Sequence, residues 1–478
     1  MARRTKIVAT VGPRTAGAKD LRRLLRAGAD VIRINFAHGT AGEHRSAIQN
    51  VRAEALALKR AVGILVDTPG PKMRTGRVAG EMVVLATGQE FCLTDQDVEG
   101  DRERVSTSVR NLSSVVANGD TIFLADGAIV LKVLSRRASD VHTHVVRGGV
   151  LRSRKGMHLP GAERLVRAFT DEDQAALKVA IRNKIELVGL SFVRDADDVR
   201  RAKAALPKRG HRPLIVAKIE TRSAVEHLED IVREADAVMV ARGDLGIQLP
   251  LSEVPILQKR IISACNRAGR PVITATQMLE SMTRAPLPTR AEVADVANAV
   301  LDGTDALMLS EETAVGDFPT DAVTKMGEIA IEAERSLFES RDRRAKPLNA
   351  DLYGDPMSWA TAHAAVQAAA DLGATAILCP TRSGSTPMRV AAFRPTTDIV
   401  ALSEVDATRG ALTLTWGVKS LGLEPVRGEL TAELDVERAW RTARRAGLVK
   451  RGDHVAVVAG TPGLKVGRTD YVRLVRVG

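Results

Sequence analysis

The sequence predicts an α/β protein: a (β/α)8 TIM barrel carrying a β-rich insertion and followed by a second α/β unit. Three observations predict this. Short Val/Ile/Leu-rich runs bounded by Gly, Pro or Asp recur along the chain and read as buried parallel strands. Helical patterns fill most of the intervals between them. The alternation breaks only between roughly Thr75 and Leu159 and again after Ser336.

The candidate barrel strands, in order, are Lys6–Thr10, Val31–Asn35, Gly63–Asp67, Ile185–Ser191, Leu214–Ile219, Ala237–Ala241, Val272–Thr276 and Ala306–Ser310. Thr170 with Asp173 forms a capping-box pattern that opens a helix toward Lys184. Ser223–Glu234 and Leu251–Ala268 read as amphipathic helices, the second stopped by Gly269 and Pro271. Helical spacing runs from Thr289 to Leu301, and Gly303 closes it. The insertion contains β-like runs at Met82–Ala86, Thr121–Leu124, Ile129–Val133 and Val141–Val146. A charged linker, ESRDRRAKPLNADLYGDP, leads to a helix over Met357–Leu372 and strands at Ala376–Cys379, Ile399–Ala401 and Val455–Val458. The expected domains are a barrel over 1–74 and 159–338, an insertion over 75–158 and a C-terminal unit over 339–478.

Composition narrows the function. Hydrophobic residues make up 45% of the 478 residues but aromatics only 3%, so the core must be built from Ala, Val, Leu and Ile. The net charge of +12 is spread along the chain, with no basic block and no interleaved aromatics. That pattern fits a solvated basic surface attracting anionic substrates, and no nucleic-acid partner is expected. Cys92, Cys265 and Cys379 are far apart and odd in number, which points to a reducing, cytoplasmic setting. No apolar run approaches the ~18 residues of a membrane span, so no membrane partner is expected.

Catalytic groups of such a barrel sit where strands end and βα loops begin. Those ends carry Arg33 and Asn35, Asp67, Lys218 and Glu220, Arg242-Gly243-Asp244, Thr276, and Ser310-Glu311-Glu312. Lys218 and Glu220 stand two apart on a strand and so share one side. The glycines of MVARGDLG let backbone approach a ligand, and Asp244 supplies a second carboxylate. Two carboxylates with open positions suit Mg2+ or Mn2+. Lysine, arginine and metal together are what a transferring phosphoryl group requires. Taken singly, Lys218–Glu220 reads equally as a structural ion pair and Asp244 as a loop cap; their succession at neighbouring strand ends favours a site.

The strings TKIVATVGP, IRINFAHGT, LVDTPGPKMRTG, KGMHLPG, AKIE, MVARGDLGIQLP, ITATQMLESM and PTRAEVADVANAVLDGTDALMLSEETAVGDFP resemble pyruvate kinases, in family order over nearly the whole chain. The resemblance implies phosphoryl transfer from phosphoenolpyruvate to ADP, giving pyruvate and ATP in glycolysis. It implies a lid role for the insertion, a regulatory role for the C-terminal unit, and a homotetramer. It matches Lys218 to the lysine that stabilises the transferring phosphoryl group and the enolate, and Glu220 and Asp244 to the divalent-metal ligands. Gly243 and Asp244 match the backbone that holds the substrate carboxylate. Thr276 matches the hydroxyl on the proton-delivery side, and Arg33 the phosphate-binding arginine. Asn35, Phe36, Ala37, His38, Arg74 and Lys155 match the nucleotide side, and Asp126 a lid acid.

The chain departs from the family at the monovalent-cation site. Asn35, Asp67 and Thr68 remain, but the serine position is Ala37 and a family glutamate is Lys72. Lys72 is expected to replace K+, because a fixed ammonium repels a second cation at close range. Glu311 stands where many relatives have Gly, and nothing in the sequence accounts for it. In CPTRSGSTPMRV, Arg382, Ser383, Gly384, Ser385 and Thr386 converge as a phosphate cradle before a helix, and the resemblance implies a phosphorylated allosteric effector there. His142 and His144 alternate on a strand, but an i,i+2 pair without a third ligand reads as a solvent face. Asp195–Asp198 read as a helix cap. The competing readings are a metal-dependent aldolase or lyase on a related phosphoenolpyruvate/pyruvate barrel, and a non-catalytic basic binding protein.

Overall fold

The computed structural model describes residues 2–71, 73–125, 127–159, 169–340, 355–426, 431–463 and 466–478. Lys72, Asp126 and most of the expected linker lie outside the described residues.

Eight parallel strands close a barrel in sequence order: Lys6–Val11, Val31–Asn35, Gly63–Asp67, Leu187–Leu190, Leu214–Ile219, Ala237–Ala241, Val272–Ala275 and Ala306–Leu309. The strand faces alternate with period two. Val8, Val31, Leu65, Val216, Ile273 and Met308 share one buried cluster that fills the barrel interior. Two residues further along the same strands stand Thr10, Arg33, Asp67, Lys218, Ala275 and Ser310. Apart from Ala275, polar groups thus replace the aliphatic layer at the carboxyl ends of these strands. Pairing sets them side by side: Thr10 is in register with Arg33, Asn35 with Asp67, and Asp67 with Gly189. Position 189 must be glycine, because a Cβ there would meet Asp67 Oδ1 at 2.3 Å.

The helices start where side chains can cap them. Thr170 accepts from Asp173 N while the Asp173 carboxylate accepts from Thr170 N, opening the helix Asp171–Arg182. Thr289 with Glu292 does the same for Arg290–Asp302, and Gly303 closes it in the left-handed region. Asp195 caps Ala196–Ala204 by accepting from Asp198 N at 3.0 Å, as expected of that acidic stretch.

Some boundaries differ from the sequence expectation. The expected helix Ser223–Glu234 is two helices, Arg222–Glu226 and Leu228–Glu234, meeting at His227, whose φ of −101° and ψ of 23° leave α geometry. No Gly or Pro marks that break. The expected helix from Leu251 begins at Val254, with Pro255 in its first turn, where the missing N–H costs nothing. The fourth barrel strand is Leu187–Leu190 rather than Ile185–Ser191.

The insertion holds a six-stranded sheet in the order Met157–His158, Thr121–Leu124, Ile129–Arg137, Asp140–Arg147, Glu90–Thr94 and Arg104–Ser106, beside a two-stranded sheet of Gly149–Arg152 and Met82–Leu85. It has its own core, including Phe91, Leu93, Ile122, Leu131 and Val141. The C-terminal sheet runs Val418–Gly422, Asp398–Ser403, Ala376–Pro380, His454–Ala459 and Tyr471–Arg476, with only the last strand antiparallel.

The C-terminal unit docks on the barrel through charge and aromatic contacts. Arg394 is paired with Asp305 at 3.0 Å, and its guanidinium lies 4.9 Å from the Trp416 ring centre. Arg4 approaches the same ring at 5.4 Å. Trp359 lies so close to Gly269 that a Cβ at that glycine would clash with it at 2.3 Å. Among the described residues, no helix is long and apolar enough to cross a membrane.

Candidate active site

The polar layer at the barrel mouth is organised by Asp67 and Lys218. Asp67 Oδ2 accepts from Arg33 Nε at 2.9 Å and Nη2 at 2.8 Å, and lies 3.5 Å from Lys218 Nζ. Lys218 Nζ is 2.7 Å from Glu220 Oε1 and donates to Ser191 Oγ at 3.0 Å. Glu220 Oε2 accepts from Phe192 N at 2.7 Å. Arg33 Nη1 reaches Thr10 Oγ1 at 3.1 Å. Asp67 and Glu220 are each 1% exposed, so these charges compensate one another almost without water.

Burial disfavours the Lys218 ammonium, yet Glu220, Asp67 and Asp244 outweigh burial and the repulsion of Arg33, and its pKa is raised. The lysine is a permanent cation. Burial likewise works against the Asp67 carboxylate, but Arg33 and Lys218 hold its pKa below the ordinary value. Glu220 is the exception: burial, then the charge of Asp244, raise its pKa despite Lys218. A divalent cation beside both carboxylates would remove that repulsion, so Glu220 and Asp244 fit a Mg2+ or Mn2+ pair. Asp67 Oδ1 is buried with no hydrogen-bond partner, an acceptor that a cation or water could satisfy.

Arg33, Asn35, Ala37, His38, Thr68, Arg74, Lys155, Lys218, Glu220 and Asp244 line one cleft of about 340 Å3, within the size range of small-ligand sites. Ala37 and Arg74 also line an adjoining recess of about 830 Å3, which Phe36 enters. Phe36 stacks on His44 at 4.3 Å with the rings nearly parallel. Arg74 Nη1 donates to Arg154 O at 2.9 Å, tying the insertion to the mouth beside Lys155.

Thr276 stands outside that cleft lining but is joined to it. Its Oγ1 accepts from Gly243 N at 2.8 Å and donates to Ala275 O at 2.7 Å. The Gly243 amide is therefore engaged by Thr276. Thr276 itself has φ +70°, uncommon for a β-branched residue. Arg242 is turned away into structural bonds with Asp295 at 2.6 Å and Thr276 O at 2.6 Å. Glu312 is buried and accepts from Ser310 N and Leu279 N, a loop-holding role. Glu311 is exposed at the start of a short helix.

Of the monovalent-cation candidates, Asn35 and Thr68 border the cleft, and apart from the open Asp67 Oδ1, oxygens of Asn35 and Asp67 have competing partners. Asn35 Oδ1 accepts from Ala37 N at 3.0 Å, and Asp67 is held by Arg33. Sequence reasoning missed Ser191 and Phe192. Ser191 accepts from Lys218 and donates to Thr68 O at 2.7 Å; Phe192, with φ +54°, turns its N–H toward Glu220. The sequence signal was their place at the end of the expected strand Ile185–Ser191 and just after it.

In the C-terminal unit, Arg382, Ser383, Ser385 and Thr386 border a recess of about 530 Å3. Gly384, with φ +84°, precedes the helix Ser385–Ala392. Ser383 and Ser385 hydroxyls lie 3.0 Å apart, whereas Thr386 is buried and paired with Thr469 at 2.7 Å. Arg438, not anticipated, faces the same recess beside Glu404 at 2.7 Å.

Comparison with known proteins follows the same outline. The family model "Pyruvate kinase, barrel domain" matches residues 2–323, and "Pyruvate kinase, alpha/beta domain" matches residues 359–475. A pyruvate kinase of Geobacillus stearothermophilus is 41% identical, covering 100% of this chain and 80% of the relative. One from Thermotoga maritima is 40% identical, covering 99% and 100%. A crystal structure of a pyruvate kinase from Cryptosporidium parvum superposes with a TM-score of 0.90 at 33% identity, covering 100% of this chain and 96% of that one.

Proposed function

Because this chain belongs to the pyruvate kinase family, we propose that it transfers a phosphoryl group from phosphoenolpyruvate to ADP, yielding pyruvate and ATP. The observation that carries this reading is the Lys218 ammonium, buried yet held charged by Glu220 and Asp67 in a cleft shared with Arg33. A preorganised cation costs no reorganisation as negative charge develops on the phosphoryl oxygens and the enolate.

Arg33, oriented by two bonds to Asp67, binds the substrate phosphate. Lys218 stabilises charge on the transferring group and the enolate oxygen. Thr276, its hydroxyl fixed by Gly243 N and Ala275 O, stands on the side from which the enolate carbon is protonated. Asn35, Phe36, Ala37, His38, Arg74 and Lys155 serve the nucleotide, using the recess that adjoins the cleft. Glu220 and Asp244 would hold Mg2+ or Mn2+, which supplies further neutralisation of phosphate charge. Closure of the insertion over the mouth excludes water, the competing phosphoryl acceptor.

Lys72 in place of K+, a phosphorylated effector at Arg382–Thr386, a cytoplasmic location and a homotetramer complete the proposal. The coupled assay decides its centre: ATP must form from ADP and phosphoenolpyruvate in the presence of Mg2+. Absence of ATP formation under saturating substrates and metal would overturn it.

A further inference from the structure

The outer face of the insertion's sheet brings together three side chains of a different chemistry. Glu90–Thr94 and Asp140–Arg147 pair antiparallel, with Cys92 opposite His142. Phe91, Leu93, Val141 and Thr143 are buried beneath, so Cys92, Asp140 and His142 fall on the other face by the period-two rule. One ligand atom from each lies within 4.8 Å of the other two. His142 thus finds its co-ligands not in His144 but in Asp140 of its own strand and Cys92 of the neighbouring one.

We propose that Cys92, Asp140 and His142 form a site for a thiophilic divalent cation of the Zn2+ class, with water as fourth ligand. One thiolate, one imidazole and one carboxylate suit tetrahedral zinc, whose bonds of about 2.0–2.3 Å fit ligands this closely grouped. The same set suits Mg2+ poorly, because Mg2+ takes hard oxygen ligands. The site is thus chemically separate from Glu220 and Asp244. Binding releases the Cys92 thiol proton to solvent as the Zn–S bond forms, and cross-links two strands of the insertion. Arg104, in register with Cys92, and Arg137, in register with Asp140, are cations on the flanking strands that oppose binding.

The thiol inventory makes the test specific. Cys265 and Cys379 are buried, leaving Cys92 as the partly accessible cysteine. The full-length protein, held in excess Mg2+, is titrated with Zn2+ while labelling of Cys92 by a thiol reagent is followed. Zn2+ is expected to slow labelling by at least about tenfold at one equivalent per chain, since bound thiolate is no longer a free nucleophile. Asp140→Asn and His142→Ala should each abolish most of that protection, with phosphoryl transfer in Mg2+ confirming that they fold. Co2+ should give thiolate-to-metal charge-transfer absorption in the wild type and none in Cys92→Ser. Undiminished labelling in Zn2+, or equal protection in His142→Ala and Asp140→Asn, would overturn the site.

Discussion

A single carboxylate oxygen, Asp67 Oδ2, accepts both the Nε and Nη2 bonds of Arg33, at 2.9 and 2.8 Å. The arginine's orientation therefore depends chiefly on one residue of a neighbouring strand, with Thr10 Oγ1 holding Nη1 from the other side at 3.1 Å. Asp67→Asn is expected to raise the phosphoenolpyruvate KM and lower the melting temperature, since breaking a buried ion pair from one side costs about 3–5 kcal/mol. Steady-state kinetics and calorimetry check both; wild-type values for KM and stability together would refute the orienting role.

Lys218→Met should lower kcat about 10²–10³-fold with little change in substrate affinity, because the ammonium acts mainly on charge that develops in the transition state. Burst kinetics and direct substrate titration separate the two quantities. A turnover number like that of the wild type would remove Lys218 from the mechanism.

Thr276 combines a hydroxyl that engages Gly243 with a left-handed backbone. Thr276→Gly should be more stable than Thr276→Ala by about 1 kcal/mol, because only glycine relieves the backbone cost. Both should lose activity to a similar extent, and Thr276→Ser should retain most of it. Equal stability of the Gly and Ala variants in urea would show that the positive φ carries no strain.

Metal removal has a defined pH dependence. Glu220 has its pKa raised from the ordinary 4.5, chiefly by burial and then by Asp244. The stability contributed by its neutral form is complete below about 4.5 and is lost as pH rises through the raised folded value. Mg2+ reverses that loss, so stabilisation by Mg2+ over EDTA should grow as pH rises. At a hundredfold excess over Kd it should reach about 2.7 kcal/mol. Calorimetry at several pH values reads this directly; a gain that is constant with pH, or undiminished in Glu220→Gln, would contradict it.

Activity in buffer free of both sodium and potassium should be close to that with K+ added, if the Lys72 ammonium takes the cation's place. Ala37, at the family's serine position, offers no side-chain oxygen to such an ion. Strong activation by K+ would sink the idea, and Lys72→Glu with Ala37→Ser should then leave the K+ response unchanged.

The barrel was legible because its strands are buried on both faces and read as unbroken aliphatic runs, and because their charged ends interrupt those runs abruptly. Arg33, Asp67, Lys218 and Glu220 announced themselves that way. Ser191, the last residue of the expected strand Ile185–Ser191, did not, because its bonds to Lys218 and Thr68 come from neighbouring strands. Glu90–Thr94, Arg104–Ser106 and Tyr471–Arg476 were missed, since short strands with one solvated face carry little apolar signal. The break at His227 and the Cys92–His142 pairing depend on tertiary packing and register, which no local pattern encodes.

All three tryptophans of the chain, Trp359, Trp416 and Trp440, lie beyond residue 355. Two of them press on the barrel: Trp416 between Arg4 and Arg394, and Trp359 over Gly269. The protein therefore carries a native optical probe of the junction between its catalytic and C-terminal parts. Separation of those parts would wet two indoles and shift their emission to the red, whereas movement of the tryptophan-free insertion would leave that emission dark to it.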